Sequence, residues 1–434
     1  MHSMEKTQRV IDHFMKICSI PHCSTDAKRL FDYLRDFASE RGYSVESDEA
    51  GNIHIYRGDC DIVLQAHYDM VCTGSAPDIV PVRDGRYLKA SASSLGADNG
   101  IAIAMMMELM NEGRDLNLLL TSDEEIGMVG ASALSLDIGG KYLLNLDSEE
   151  EGVVYIGCAG GSDIVAVRDY HREMVEGDIY RISVSGLPGG HSGVDIDRDI
   201  PNAITTLAAY LRDLDPYLVS FDGGERRNSI PSSAEAVVVS RTTPRKRDGI
   251  DIEKISNART EVVRESRNIF DFLSEAPHGV LRYDRDMDVV SMSVNLARVH
   301  ISEGDSRIEY SLRAMDSEDL DMLEKSISSL LKCCGYDISV EGRYEPWRPR
   351  RGEFADYLLE RLSARFGKSV PKAIHAGLEC GIIGMKYPGL QMASIGPTIE
   401  YPHSDRERVD IESVGRVFEV LVDILDGFEK RGRR

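Results

Sequence analysis

The chain has 434 residues, with 51 Lys and Arg against 73 Asp and Glu and a formal net charge of −22. That length predicts more than one domain and ample material for a buried core. The acidic balance excludes a general nucleic-acid or anionic-membrane binder, because phosphate surfaces recruit Lys and Arg.

No run approaches the roughly 20 apolar residues that a membrane span needs. The longest, Ile101–Met107, closes at Glu108. The charged start (Glu5, Lys6, Arg9, Asp12) has no apolar stretch of the secretory type. The eight cysteines include no Cys-x-x-Cys pair, and Cys333 and Cys334 are adjacent. This pattern predicts neither a disulfide framework nor a thiolate zinc site, so a reduced, cytoplasmic protein is expected. The basic Lys430–Arg434 reads as a solvated tail.

Leu30, Phe31, Leu34 and Phe37 recur at helical spacing, and Gly42 stands where a glycine would end that helix. Strand signals follow at Asn52–Tyr56 and Ile62–Gln65, a helix from Gly100 to Asn111, and buried strands at Leu116–Thr121 and Tyr142–Leu146. Such alternation predicts an α/β domain with a mostly parallel sheet flanked by helices, where ligands bind beyond the carboxyl ends of the strands. Met105–Met107 on the helix read as core.

The texture changes near Asp178. Strands at Tyr180–Ser185 and Ala234–Ser240 flank a helix at Asn202–Leu214. A second cycle has a long helix at Asp251–Leu273, strands at Val289–Val299 and Arg307–Arg313, and a helix at Ser317–Leu331. Helices at Glu353–Phe366 and Glu412–Phe428 restore the α/β texture. The predicted organisation is one α/β domain, residues 1–176 and 352–434, interrupted by an α+β insertion, residues 177–351. The two cycles hint at internal duplication without a residue-level repeat.

Five acidic or histidine segments stand at predicted strand ends or in the loops after them. His67 and Asp69 follow Ile62–Ala66, and Asp98 sits in Gly96-Ala97-Asp98-Asn99-Gly100. Asp123-Glu124-Glu125 follows Leu116–Ser122, Asp147 follows Leu143–Leu146, and His403 lies in Gly396-Pro397-Thr398-Ile399-Glu400-Tyr401-Pro402-His403. Each alone is ordinary: acidic clusters are usually solvated, and a carboxylate after a strand is usually a cap. Together they offer two imidazoles and several carboxylates without thiolates, a set suited to a pair of divalent ions. Asp69 is spaced to hold the second nitrogen of His67.

These segments, in this order, resemble the M20 family of metallopeptidases. Gly189-Gly190-His191-Ser192-Gly193, Arg227-Asn228-Ser229-Ile230-Pro231 and His375-Ala376-Gly377-Leu378-Glu379-Cys380-Gly381 resemble its aminoacyl-histidine, or cytosol non-specific, dipeptidase branch. The resemblance spans essentially the whole chain. It implies two divalent metal ions per chain, zinc first, with manganese or cobalt as alternatives. His67 and Asp147 would hold one, Glu125 and His403 the other, and Asp98 would bridge them, followed by a cis peptide to Asn99. Glu124 would be the general base, and Asp69 would orient His67.

The insertion would be a lid. There His191 would stabilise the oxyanion, Arg313 would clamp the substrate carboxylate, with Arg241 competing for that role, and Asn228 would be a second contact. Glu379 is held as a further substrate contact. The implied reaction is hydrolysis of unblocked dipeptides, Xaa-His and broader, by attack of a metal-bound hydroxide on the peptide carbonyl. Removal of an N-acyl group, or of a C-terminal residue from a longer peptide, would use the same machinery. A non-catalytic peptide- or metal-binding homologue is disfavoured because all five ligands and Glu124 are present. A dinuclear phosphoesterase lacks a phosphate-holding basic cluster beside these motifs. The implied partner is a small peptide, and the chain would be a monomer or homodimer.

Overall fold

The computed structural model describes the backbone of residues 2–432 and the side chains of residues 4–428, so the side chains of the Lys430–Arg434 tail lie outside the described residues. The chain divides into two compact units. One is Met1–Cys158 with Trp347–Ala373 and Leu378–Arg434; the other is Ala159–Pro346 with Ile374–Gly377. The first crossing falls earlier than residue 177 because the Gly160–Val167 strand pairs with Ser306–Ala314 and Asp337–Tyr344 in the second unit's sheet. No helix among the described residues is long and apolar enough to cross a membrane.

Among the described residues, the first unit holds an eight-stranded sheet. Its order is Ser44–Ser47, Ile53–Arg57, Leu116–Thr121, Ile62–His67, Tyr142–Asn145, Gln391–Ser394, Val153–Cys158 and Val370–Ile374. Leu116–Thr121, Ile62–His67, Tyr142–Asn145 and Gln391–Ser394 run parallel. Ile53–Arg57 and Val153–Cys158 join them antiparallel. The predicted parallel character therefore belongs to the centre of the sheet, whose strands are buried on both faces.

The helix Ala97–Asn111 is apolar all round and buried from Ile101 to Met110, as a helix enclosed on every side must be. Met105–Met107 are core residues, at most 1% exposed. Glu108 is the exception, and its carboxylate meets Arg9 Nε at 2.5 Å and His13 Nε2 at 3.4 Å from the N-terminal helix. The helix Lys28–Glu40 ends as predicted, with Gly42 at φ +76°.

One expectation is corrected here: Cys23 and Cys72 form a disulfide. The segment after the N-terminal helix runs beside the loop after Ile62–His67, with Met70 N donating to His22 O at 3.1 Å and Ser24 N to Met70 O at 3.1 Å. Cysteines 49 residues apart thereby meet.

The second unit carries a nine-stranded sheet, with Asp251–Val263 at one edge and Asp337–Tyr344 at the other. Ala203–Leu214, Ser266–Ser274 and Ser317–Cys333 are its helices, and their apolar faces join one core with the sheet. The predicted helix Asp251–Leu273 is wrong over its first half, which is a strand. Its Glu, Lys, Arg and Ala residues favour helix weakly, but a ladder with Arg172–Ser183 satisfies the backbone instead. The charged side chains point to solvent, a common guard on an edge strand.

Asn202 starts the Ala203–Leu214 helix by accepting Ile204 N at 2.9 Å, and its amide donates to Leu296 O at 2.9 Å. Asn202→Ala removes the cap and orphans a buried carbonyl, so we expect it to destabilise the chain by about 1–2 kcal/mol. The shift in urea midpoint checks this.

Candidate metal centre

Three parallel strands deliver candidate ligands at their carboxyl ends. His67 closes Ile62–His67, Glu124 and Glu125 follow Leu116–Thr121, and Asp147 follows Tyr142–Asn145. Asp98 enters from the turn that opens Ala97–Asn111, where the Asp98–Asn99 peptide is cis. His403 arrives on a hairpin between Ile399–Glu400 and Arg408–Asp410, which a small sheet ties to Tyr87–Ala90. Gly396 permits this approach, since a Cβ there would overlap the Ser148 carbonyl beside Asp147.

His67, Asp98 and Asp147 form one group whose ligand atoms lie within 4.8 Å of one another, and Asp98, Glu125 and His403 form a second. Asp98 divides its carboxylate between them. Oδ1 is 3.2 Å from His67 Nε2, and Oδ2 is 3.1 Å from His403 Nε2. Asp147 Oδ1 is 3.3 Å from His67 Nε2, and Glu125 Oε1 is 2.9 Å from His403 Nε2.

The Asp69 side chain stands beside both His67 and the acidic turn. His67 Nδ1 lies 3.0 Å from the Asp69 backbone carbonyl but 3.6 Å from its carboxylate. The carboxylate also accepts Glu124 N at 2.9 Å, Ser24 Oγ at 2.7 Å and Glu125 N at 3.4 Å. Asp69 thus shapes the acidic turn with its side chain and meets the imidazole with both its backbone carbonyl and its carboxylate. Nδ1 of His67, turned to a carbonyl, leaves Nε2 to the ligand cluster.

The electrostatics describe a cluster short of positive charge. Burial, together with Glu125, Asp147 and Glu379, pushes Glu124 well above the usual carboxylate range, against the pull of His67. Burial takes Asp147 up to about 7. Burial works against the His67 imidazolium, yet Asp147, Asp69 and Asp98 outweigh it and hold its pKa well above the ordinary value. His403 is likewise pushed up to about 12 by Asp98 and Glu125. Four carboxylates facing two imidazoles in a half-buried site fit divalent cations by donor chemistry, because oxygen and nitrogen ligands of this type need a positive centre to relieve their repulsion.

Residues 63–427 match peptidase family M20/M25/M40. The chain belongs to the M20 peptidase family. This M20 peptidase is 33% identical to the cytosol non-specific dipeptidase of Escherichia coli strain K12, over 96% of the chain and 97% of that protein. Its fold matches the crystal structure of aminoacylhistidine dipeptidase from Vibrio alginolyticus at a TM-score of 0.74, with 32% identity and 96% of each chain covered. A tripeptidase from Staphylococcus aureus shares the fold at a TM-score of 0.60 and 15% identity, covering 96% of this chain and 97% of the other.

The remaining candidates of this M20 peptidase divide between the units. Glu379, expected as a substrate contact, is fully buried in the first unit. Its Oε2 accepts Gln65 Nε2 at 2.5 Å and Thr121 Oγ1 at 2.7 Å, and Gln65 continues to Asn145. His191, Asn228 and Arg313 lie in the second unit, where the short Gly190–His191 and Ser229–Ile230 strands pair. Arg313 Nε and His191 Cε1 each lie 3.2 Å from where a Gly193 Cβ would stand, and the His375 carbonyl would overlap it. Asn228 O accepts Ser192 N at 2.8 Å. Arg241 is exposed and stacks over Tyr217.

Sequence reasoning missed Ser24, Gln65 and Thr121. None has a motif signal, because each acts by meeting a group distant along the chain.

Burial raises Glu379 to about 7. The folded chain therefore holds a proton that the unfolded chain releases above its ordinary value of 4.5, and the stability from the neutral form fades as pH rises through 7. In chelator-treated protein, Glu379→Gln should lose less stability between pH 5 and pH 8 than the parent. Urea denaturation at the two pH values checks this; parallel losses would refute it.

Proposed function

We infer that the chain is a metal-dependent dipeptidase that hydrolyses unblocked dipeptides, Xaa-His among them. The observation that carries this is the divided carboxylate of Asp98 between two ligand groups, with Glu124 beside them. The names of the two relatives at 33% and 32% identity supply the substrate class.

Two divalent cations, held by His67, Asp147 and Asp98 and by Asp98, Glu125 and His403, would supply Lewis acidity to polarise the scissile carbonyl and acidify water. Zinc is the first choice for this donor set, with manganese and cobalt as alternatives. Glu124 takes a proton from the attacking water and later delivers it to the leaving amine nitrogen. Asp69 fixes the backbone of Glu124 and Glu125, so that adjacent carboxylates keep separate tasks.

The second unit is read as the substrate-holding lid. His191 Nδ1 accepts Gly193 N at 3.2 Å and Val194 N at 3.1 Å. Its proton therefore stands on Nε2, as a donor to the developing oxyanion requires. Arg313 donates Nη1 to Tyr344 Oη at 2.7 Å, while its buried Nε has no hydrogen-bond partner among the described residues. That free donor suits the substrate's terminal carboxylate. Asn228, whose backbone carbonyl accepts Ser192 N next to His191, is read as a further contact. A cytoplasmic location follows the Escherichia coli relative's name, and a monomer or homodimer is the expected assembly.

The test is a panel of Xaa-His and Xaa-Leu dipeptides, a tripeptide and an N-acetyl amino acid, each with zinc, manganese or chelator. Chelator-sensitive cleavage confined to free dipeptides is expected. Turnover of only the acetylated substrate would move the reaction to deacylation, and no turnover despite two bound ions would favour a binding protein. Glu124→Gln should lower kcat by roughly 10²- to 10⁴-fold. Metal content by elemental analysis should stay unchanged.

A further inference from the structure

Glu407 is 2% exposed and stands four residues after His403. Its Oε2 accepts Leu95 N at 2.7 Å and Gly96 N at 3.0 Å. Its Oε1 accepts Ala97 N at 2.7 Å and Asp98 N at 3.3 Å. A carboxylate has two oxygens and only accepts, so it matches four convergent N–H groups as no neutral side chain does. Gly96 takes φ +71° to turn these groups inward, and no residue of the helix itself caps its start.

The cradle has a competitor. Aspartate favours hydrogen bonds to N–H groups at its own helix start, and Asp98 stands there. The four N–H groups engaged by Glu407 are closed to the Asp98 carboxylate, which stays divided toward His67 and His403. The Arg408–Asp410 strand directly after Glu407 pairs with Tyr87–Ala90, so the contact also joins the His403 hairpin to the Asp98 turn.

We propose that Glu407 is a positioning residue for the dinuclear centre, holding Asp98 in its bridging orientation by accepting the four backbone N–H groups of residues 95–98. The proposal rests on the reading of Asp98 as the bridging ligand. Glu407→Gln keeps size and burial, but its amide nitrogen faces two of the four donors.

Full-length parent, Glu407→Gln, Glu407→Asp and Asp98→Asn would be titrated with Zn²⁺ against a chromophoric chelator. Their Mn²⁺-loaded forms would be examined by electron paramagnetic resonance for exchange coupling. Glu407→Gln should bind metal 10- to 100-fold more weakly, the range for removing a group that orients a ligand. It should also lose coupling between the two manganese ions and show a lower kcat at unchanged KM, partly restored by excess metal. Glu407→Asp, which keeps the charge on a shorter arm, should fall between it and the parent, and carries the same test if the Gln variant does not fold. Parent-like affinity and coupling in a folded Glu407 variant, alongside loss of both in Asp98→Asn, would overturn the positioning role alone. Two metals bound with parent affinity by Asp98→Asn would instead overturn the bridging reading beneath it.

Discussion

Mutual repulsion among crowded, half-buried carboxylates is the constraint on which this structure turns. Asp98, Glu124, Glu125 and Asp147 gather around two imidazoles, and burial alone would neutralise several of them. Asp98 escapes this: although burial opposes its charge, the imidazoles of His403 and His67 pull it well below the usual carboxylate range. It is thereby the anion around which the two ligand groups are organised.

The fold sustains that crowding by fixing each acid from outside the cluster. Parallel strands set His67, the Glu124–Glu125 turn and Asp147 side by side at one edge of the sheet. The Asp69 carboxylate engages the backbone of Glu124 and Glu125, and Glu407 engages the backbone leading to Asp98. Gln65 and Thr121 hold Glu379, with Gln65 linked onward to Asn145. Without these contacts, flexible acids would turn toward water and away from one another.

The second unit reaches its candidate groups by different means. A glycine at 193 lets the His375 backbone, His191 and Arg313 crowd one position. Burial and the nearby Arg313 guanidinium bring His375 down to about 3, so it stays neutral while its Nε2 meets Ser293 Oγ at 2.7 Å.

Much of the first unit was legible from residues alone. Strand-end placement of His67, Glu124, Glu125 and Asp147 could be read because buried parallel strands are continuous apolar runs, and a polar residue at their ends stands out. The Asp251–Val263 strand could not, because an exposed edge strand has no alternating apolar face. The Cys23–Cys72 pair was hidden for a related reason, since its spacing has meaning only once two loops lie together. The amino-acid sequence by itself determined which donor atoms this protein has, because metal and proton chemistry depend on residue type. Only the tertiary structure decided how they are held. The Asp69 carboxylate and Glu407 bind backbone N–H groups, and every residue but proline offers one, so no sequence pattern marks which of them converge.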